Sequence, residues 1–276
     1  MAWIFEKYHI CAQPQAVCVV QSGSRVVINN IKIENQSDEI AAQRKYYSEE
    51  AKNYDSMHVN AKDEHYFSLR FLDALIDYYD IKKILDIGAG TGRVATYLKS
   101  KHPSIQVVSI EPVRELREVG YTKGLAETEL LEGDATKLVY QADEFDIVCE
   151  FGVLHHIKNP ELAVQEMLRV GRIGIFISDS NNFGQGSAPS RFIKQTLNKL
   201  GLWKLVDFIK TKGKGYTISE GDGLAYSYSV FNNFKLISQT CDTHILNTSA
   251  CGGIDPYKTA SHVALVGIKK TWRNHE

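Results

Sequence analysis

From Lys82 onward, apolar positions fall into short near-continuous runs, separated by stretches where they recur every three or four residues. The runs are "KKILDIG" (82–88), "IQVVSIEP" (105–112), "TELLEGD" (128–134), "EFDIVCEFG" (144–152) and "RIGIFISD" (172–179). The periodic stretches include "RVATYLKSKH" (93–102) and "PELAVQEMLRV" (160–170), the second with Pro160 suited to a first helical turn, where its missing N–H has no partner to lose. Runs of this length predict buried strands and the stretches between them predict helices. Strands apolar on both faces and alternating with helices predict an α/β fold with a parallel sheet covered on both sides.

The flanks read differently. Residues 1–38 contain "AVCVV", "QSGS" and "RVVINNIKI", which predict an accessory β-hairpin; since a lone hairpin is marginal, it must pack on the main domain or form a homodimer contact. From Ser37 to Tyr79 the period is helical, with a cap at Ser37 or Asp38 and a face of Phe67, Phe71, Leu72 and Leu75 on the second helix. After Asp179 come two amphipathic helical stretches, then the glycine-rich "TKGKGYTISEGDG", which reads as a mobile loop; together they form a lid insert at about 180–223. "FNNFKLISQTC" reads as a helix, and "THILNTS" and "HVALVGIKK" as closing strands whose short connection permits an antiparallel pair.

Length and charge narrow the classes. The 276 residues suffice for a well-buried core, and a net charge of -1 argues against a nucleic-acid-coating protein. No apolar run reaches transmembrane length, and Glu6 and Lys7 interrupt the segment where a signal peptide needs its apolar centre. Five cysteines without a CxxC pair read as reduced thiols of a cytoplasmic protein.

The chemistry concentrates in "LDIGAGTGR". Gly88, Gly90 and Gly92 permit a sharp strand-to-helix turn and close approach of backbone to a ligand. The following helix offers free N–H groups to an anion. Glu111 closes the next strand about 20 residues on, where a carboxylate can bond ribose hydroxyls. Asp134 closes the third strand on the same edge. A phosphate loop would need GK[ST] where this chain has "TGR", and a hydride-transfer enzyme prefers GxGxxG.

"LDIGAGTGR", "IEP", "EGDA" and "FDIVCEFGVLHHIKNPE", in this order and spacing, resemble the class I S-adenosylmethionine-dependent methyltransferases over about residues 40–270; the last segment is most similar to the small-molecule branch. The resemblance implies a Rossmann-like, doubly wound, seven-stranded sheet with an antiparallel last strand, occupying residues 39–276. It implies that Asp86, Gly88, Ala89 and Gly90 cradle the methionine end of the cofactor. Glu111 would hold the ribose, with Pro112, Asp134 and Ala135 around the adenine, and Glu150 and Phe151 near the sulfonium. The helix bearing Tyr46, Tyr47 and Tyr54 would close over it.

An imidazole can deprotonate an acceptor near neutral pH, so His155 and His156 are the candidate bases, with packing or capping as the alternative for each. Glu150 beside them lacks a second acidic cluster, so no metal is expected. "EFGV" stands where amide- and base-methylating enzymes carry an Asn/Asp-Pro-Pro-Tyr string. Acceptor specificity should reside in the lid, whose Arg191, Lys194, Lys199, Lys204, Lys210, Lys212 and Lys214 either favour an anionic acceptor or form an ordinary solvated face. Tyr226, Tyr228 and Phe231 either wall the acceptor pocket or pack inward. The expected activity is methyl transfer to a small molecule, a hydroxyl ahead of an amine or amino sugar; the rival of another class is a non-catalytic cofactor-binding partner subunit.

Overall fold

The computed structural model describes residues 36–60, 62–249 and 252–273, so the expected hairpin lies outside the described residues. Among the described residues three helices come first: α1 (Gln36–Glu50), α2 (Tyr54–His58) and α3 (Glu64–Tyr78). Then alternate β1 (Lys83–Ile87), α4 (Arg93–Lys101), β2 (Gln106–Ile110), α5 (Arg114–Thr122), β3 (Leu130–Leu131), β4 (Phe145–Phe151), α6 (Pro160–Val170) and β5 (Gly171–Ser180). The lid contributes α7 (Ala188–Lys199), α8 (Trp203–Lys210), β6 (Tyr216–Ser219) and β7 (Gly223–Tyr226). After the lid come α9 (Phe234–Thr240), β8 (Cys241–Asn247) and β9 (His262–Lys269).

Among the described residues seven strands form one sheet in the order β3-β2-β1-β4-β5-β9-β8. β9, last in the chain, runs antiparallel between β5 and β8, as the resemblance implied. β1 pairs in parallel with both β2 and β4, so the strand order reverses there and opens a crevice at the carboxyl ends. Alternate strand residues feed two cores. Leu85, Ile87, Val148 and Ile175 meet α6 through Ala163, Val164 and Met167, while Ile84, Cys149 and Phe176 meet α3 and α4 through Leu69, Leu72, Val94 and Leu98. Cys149 and Cys241 are free, buried thiols.

Several expectations are corrected in detail. Ser37 and Asp38, the expected caps, lie within α1. α3 is capped by Asp63, whose carboxylate accepts from the Tyr66 N–H at 2.5 Å, and it buries Ser68, Leu69, Leu72 and Ile76; Phe67 turns outward. The third strand shrinks to Leu130 and Leu131 at the sheet edge. The glycine-rich segment is a paired hairpin and not a loop: Tyr216 and Tyr226 face each other across β6 and β7 with ring centroids 6.3 Å apart. Gly223 starts β7 with φ +64, where a Cβ would strike Gln43 and Tyr46 on α1 at 2.7 Å, so the hairpin sits directly on that helix.

Candidate functional site

Gly88 and Gly90 both take positive φ, +66 and +57, which only glycine adopts freely and which turns the chain from β1 toward α4. Gly90's backbone N–H donates to Glu111 Oε2 at 3.0 Å, and Val113's donates to Oε1 at 2.9 Å. Glu111 therefore ties the loop to the end of β2. Burial pushes its carboxyl up to about 7, against the pull of those two N–H groups and Arg117.

Asp86 lies one residue before the end of β1, between Ser109 and Cys149 on the neighbouring strands. Its contacts are long, 3.5 Å from Ser109 Oγ and 3.9 Å from Cys149 Sγ. Burial raises its carboxyl to about 7, with Arg93 and the two contacts opposing. A buried carboxyl with such poorly filled acceptors is suited to a cationic donor. That is the observation by which the residues fit S-adenosylmethionine, whose methionine end carries an ammonium group.

A cavity of about 200 Å3 runs along the strand ends past Glu111, Pro112, Asp134, Ala135 and Phe151. Asp134 Oδ1 accepts from the Thr136 N–H at 2.8 Å and its hydroxyl at 2.7 Å. A narrow space of about 20 Å3 continues past Asp86, Gly88, Ala89 and Arg93. Tyr54, Gly88 and Phe151 border both. Tyr54 lies across the junction, so close to Gly90 that a Cβ there would sit 2.8 Å from its hydroxyl oxygen. Tyr47, on α1, lines the larger part, and Tyr54 belongs to the separate α2 and not, as expected, to the same helix. Three expected cofactor residues stand back from these cavities. Gly90 borders neither, its N–H being turned to Glu111. Tyr46 is buried and donates its hydroxyl to the Glu220 carbonyl at 2.6 Å, fastening α1 to the hairpin. Glu150 is fully buried, with Oε2 accepting from the Val153 N–H at 2.9 Å and Oε1 without a partner. Burial and the nearby charge of Asp179 raise its carboxyl well above the ordinary value.

Under the lid lies a larger, polar cavity of about 670 Å3, bordered among others by Glu64, His65, His155, Asp207, Asp222 and His262. His155 and His156 diverge. His155 faces this polar cavity and His156 the cofactor side. His155 Nδ1 is 2.6 Å from Asp179 Oδ1, and its Nε2 is 3.5 Å from Asp222 Oδ1. Burial would lower its pKa, but Asp179 and then Asp222 outweigh that and carry it well above the usual value. His155 is thus an imidazolium between two carboxylates. His156 instead joins three elements, with Nδ1 2.8 Å from the Leu224 carbonyl and Nε2 3.0 Å from the Tyr47 hydroxyl and 3.4 Å from Asp222.

His65, Asp179 and Asp222 were not singled out from the sequence as site residues. Asp179 carried the one available signal, an acidic residue near the carboxyl end of a predicted strand. Of the lid cations, Lys210 borders the polar cavity. Tyr226 borders both cavities and donates to Glu39 at 2.7 Å; Tyr228 is buried beside the polar cavity; Phe231 packs inward, edge-on to Tyr257. Two clusters, Glu64–His65–His262 and His155–His156–Asp222, each bring three ligand-type atoms within 4.8 Å. In both, members already bond one another, Glu64 Oε1 meeting His262 Nε2 at 3.2 Å and Asp222 reaching both imidazoles of the second. No helix among the described residues is long and apolar enough to cross a membrane.

Comparison with known proteins finds methyltransferases. Residues 85–177 match a family model described as a methyltransferase domain. Norajmaline N-methyltransferase of Rauvolfia serpentina is 33% identical over 100 residues, covering 34% of this chain and 33% of that protein. The uncharacterized methyltransferase YcgJ of Bacillus subtilis is 32% identical over 94 residues, covering 32% and 36%. The match spans about a third of the length of these curated relatives. Among solved structures, a DhpI–SAM–HEP complex superposes with a TM-score of 0.58 at 14% identity, over 85% of this chain and 99% of that one. A Thermotoga maritima SAM-dependent methyltransferase, described as a possible histamine N-methyltransferase, gives 0.53 at 18%, over 82% and 99%. The likeness to these structures is one of fold.

Proposed function

We propose that this chain, which carries a class I S-adenosylmethionine-dependent methyltransferase domain, moves a methyl group onto a small polar acceptor, in the first instance a hydroxyl. The observation that carries this reading is the junction of two cavities. The cleft suited to the cofactor reaches Gly152, and the polar cavity under the lid reaches His65, the residue facing that glycine.

When bound, S-adenosylmethionine supplies an already activated methyl group, so the protein's task is chiefly to position the acceptor and receive its proton. Asp86 would accept from the ammonium, Glu111 from the ribose hydroxyls and Asp134 from the adenine amino group, with Pro112 and Ala135 against the ring. Tyr54 and Tyr47 would cover the cofactor and keep water from the junction. The acceptor's size is limited by the lid, which favours small molecules over nucleic acid or protein.

An amine acceptor is the second reading, favoured by the carboxylates of Glu64, Asp207 and Asp222 on the polar cavity wall, which would attract a cation. The test is S-adenosylhomocysteine release when the purified protein meets cell extract divided into small molecules and macromolecules. Release with the small-molecule fraction is expected. Release only with macromolecules would overturn the substrate class, and cofactor binding without release from either would favour a non-catalytic partner subunit.

A further inference from the structure

The hydroxyl chain behind His65 fixes where its proton sits. Ser68 Oγ donates to the Glu64 carbonyl at 2.8 Å, which occupies its one proton. Ser178 Oγ must then donate to Ser68, 2.8 Å away, and its own proton is occupied in turn. The 3.0 Å contact between His65 Nδ1 and Ser178 Oγ can therefore be made only with a proton on Nδ1. Neutral His65 is left with a bare lone pair on Nε2.

The ring's surroundings keep it neutral. Burial, then the Arg93 charge, then His262 and His155 hold its pKa down, to about 3, with Asp179 opposing; Glu64, adjacent on α3, is paired with His262. The lone pair also has an address. A Cβ on Gly152 would lie 3.0 Å from His65 Nε2. Gly152 borders the cofactor cleft and His65 the polar cavity, so Nε2 stands at the wall where the two reactants meet.

Resting on the methyl-transfer reading, we propose that His65 Nε2, and not His155 or His156, takes the acceptor's proton. His155 already holds a proton between Asp179 and Asp222, and His156 is occupied by Leu224 and Tyr47. As the new C–O bond forms, and the S–C bond breaks with its electron pair remaining on sulfur, the acceptor oxygen becomes strongly acidic. Its proton passes to Nε2, and the imidazolium later releases it to water. A weak base suffices at that stage, because the group it serves has become a much stronger acid.

Two measurements test this. In the full chain labelled with 15N-histidine, the His65 signal, identified by its loss in His65→Gln, should report the Nδ1–H tautomer without titrating between about pH 5 and 8. Ser178→Ala should mix the tautomers, which loss of a packing contact alone would not do. An Nε2–H tautomer, or titration near the ordinary value of 6.5, would overturn the inference. In the extract assay, His65→Gln should lower product release about 100-fold while cofactor affinity by calorimetry stays within about twofold. Release by wild type that His65→Gln matches would overturn this inference alone. Wild type binding the cofactor but releasing nothing from any fraction would overturn the methyl-transfer reading, and this inference with it.

Discussion

The two halves of the site are built by opposite means. The cofactor half takes its charged groups from consecutive strand ends: Asp86 on β1, Glu111 after β2 and Asp134 after β3. Asp86 is placed by strand pairing and Glu111 by its N–H to the Leu131 carbonyl and by the two main-chain N–H groups that it accepts from, while Asp134 sits in a turn past β3, bonded to Thr136. The acceptor half takes His65 from α3, Asp179 from β5, His155 from the turn after β4, Asp222 from the tip of the hairpin and His262 from the start of β9. Its members are placed by side-chain bonds such as His155–Asp179 and Glu64–His262. A backbone-placed half suits a ligand whose shape never changes. A half assembled from remote side chains can be altered by changing an insert while the sheet stays the same.

The contrast is sharpened most by Asp86→Ala. It should weaken S-adenosylmethionine binding about 100-fold by calorimetry, the cost of losing a charge-assisted acceptor in a buried site. The fold should survive, because the deleted carboxyl makes only long contacts. Unchanged affinity would remove Asp86 from the cofactor site and end the contrast.

A smaller effect comes from pH. Asp86 and Glu111 both titrate near 7 in the free protein because burial disfavours their charge. Ionised, they are better acceptors, so binding should expel up to one proton from each; affinity should rise as pH approaches about 7 and level off above. The sign for the free fold is opposite. Stability linked to these raised values is full below the ordinary carboxylate range and is lost as pH rises through about 7. Calorimetry in buffers of different ionisation enthalpy reads the proton release directly. Absence of release, or affinity falling between about pH 6 and 8, would contradict it.

The same division explains what the sequence disclosed. The sheet and its switch point are legible because apolar runs, glycines and strand-end acids are local signals, and the residues proposed to hold the cofactor lie within short strings. His65 is not, because its helix reads as "EHYFSLRF", where one histidine beside a glutamate looks like any polar position. Only packing α3 against β5 brings Ser68, Ser178 and His65 into one chain. The hairpin reads as a loop in the sequence because four glycines conceal the Tyr216–Tyr226 pairing, which depends on α1 lying beneath. Glu150 adjoins the cleft in sequence, yet its side chain points into the protein, a direction that the string "CEFG" does not encode.

The lid tests how far periodicity can be trusted. The apolar spacing of α7 and α8 resembles that of α3, yet α3 buries four residues while neither lid helix buries any. Phe192 is 71% exposed. The lid is held instead by polar links: Gln195 donates to the Phe183 carbonyl at 2.9 Å and Trp203 to Ser227 at 3.0 Å. Phe192→Ser should therefore change unfolding free energy by no more than about 0.5 kcal/mol, the range of ordinary surface substitutions. Denaturant unfolding measures this. A loss of about 2 kcal/mol or more, typical of a buried aromatic, would mean that the face is covered in solution and that α7 is packed as firmly as α3. The lid would then be a second rigid wall, and the contrast with the cofactor half would lie in the origin of its residues and not in how firmly they are held.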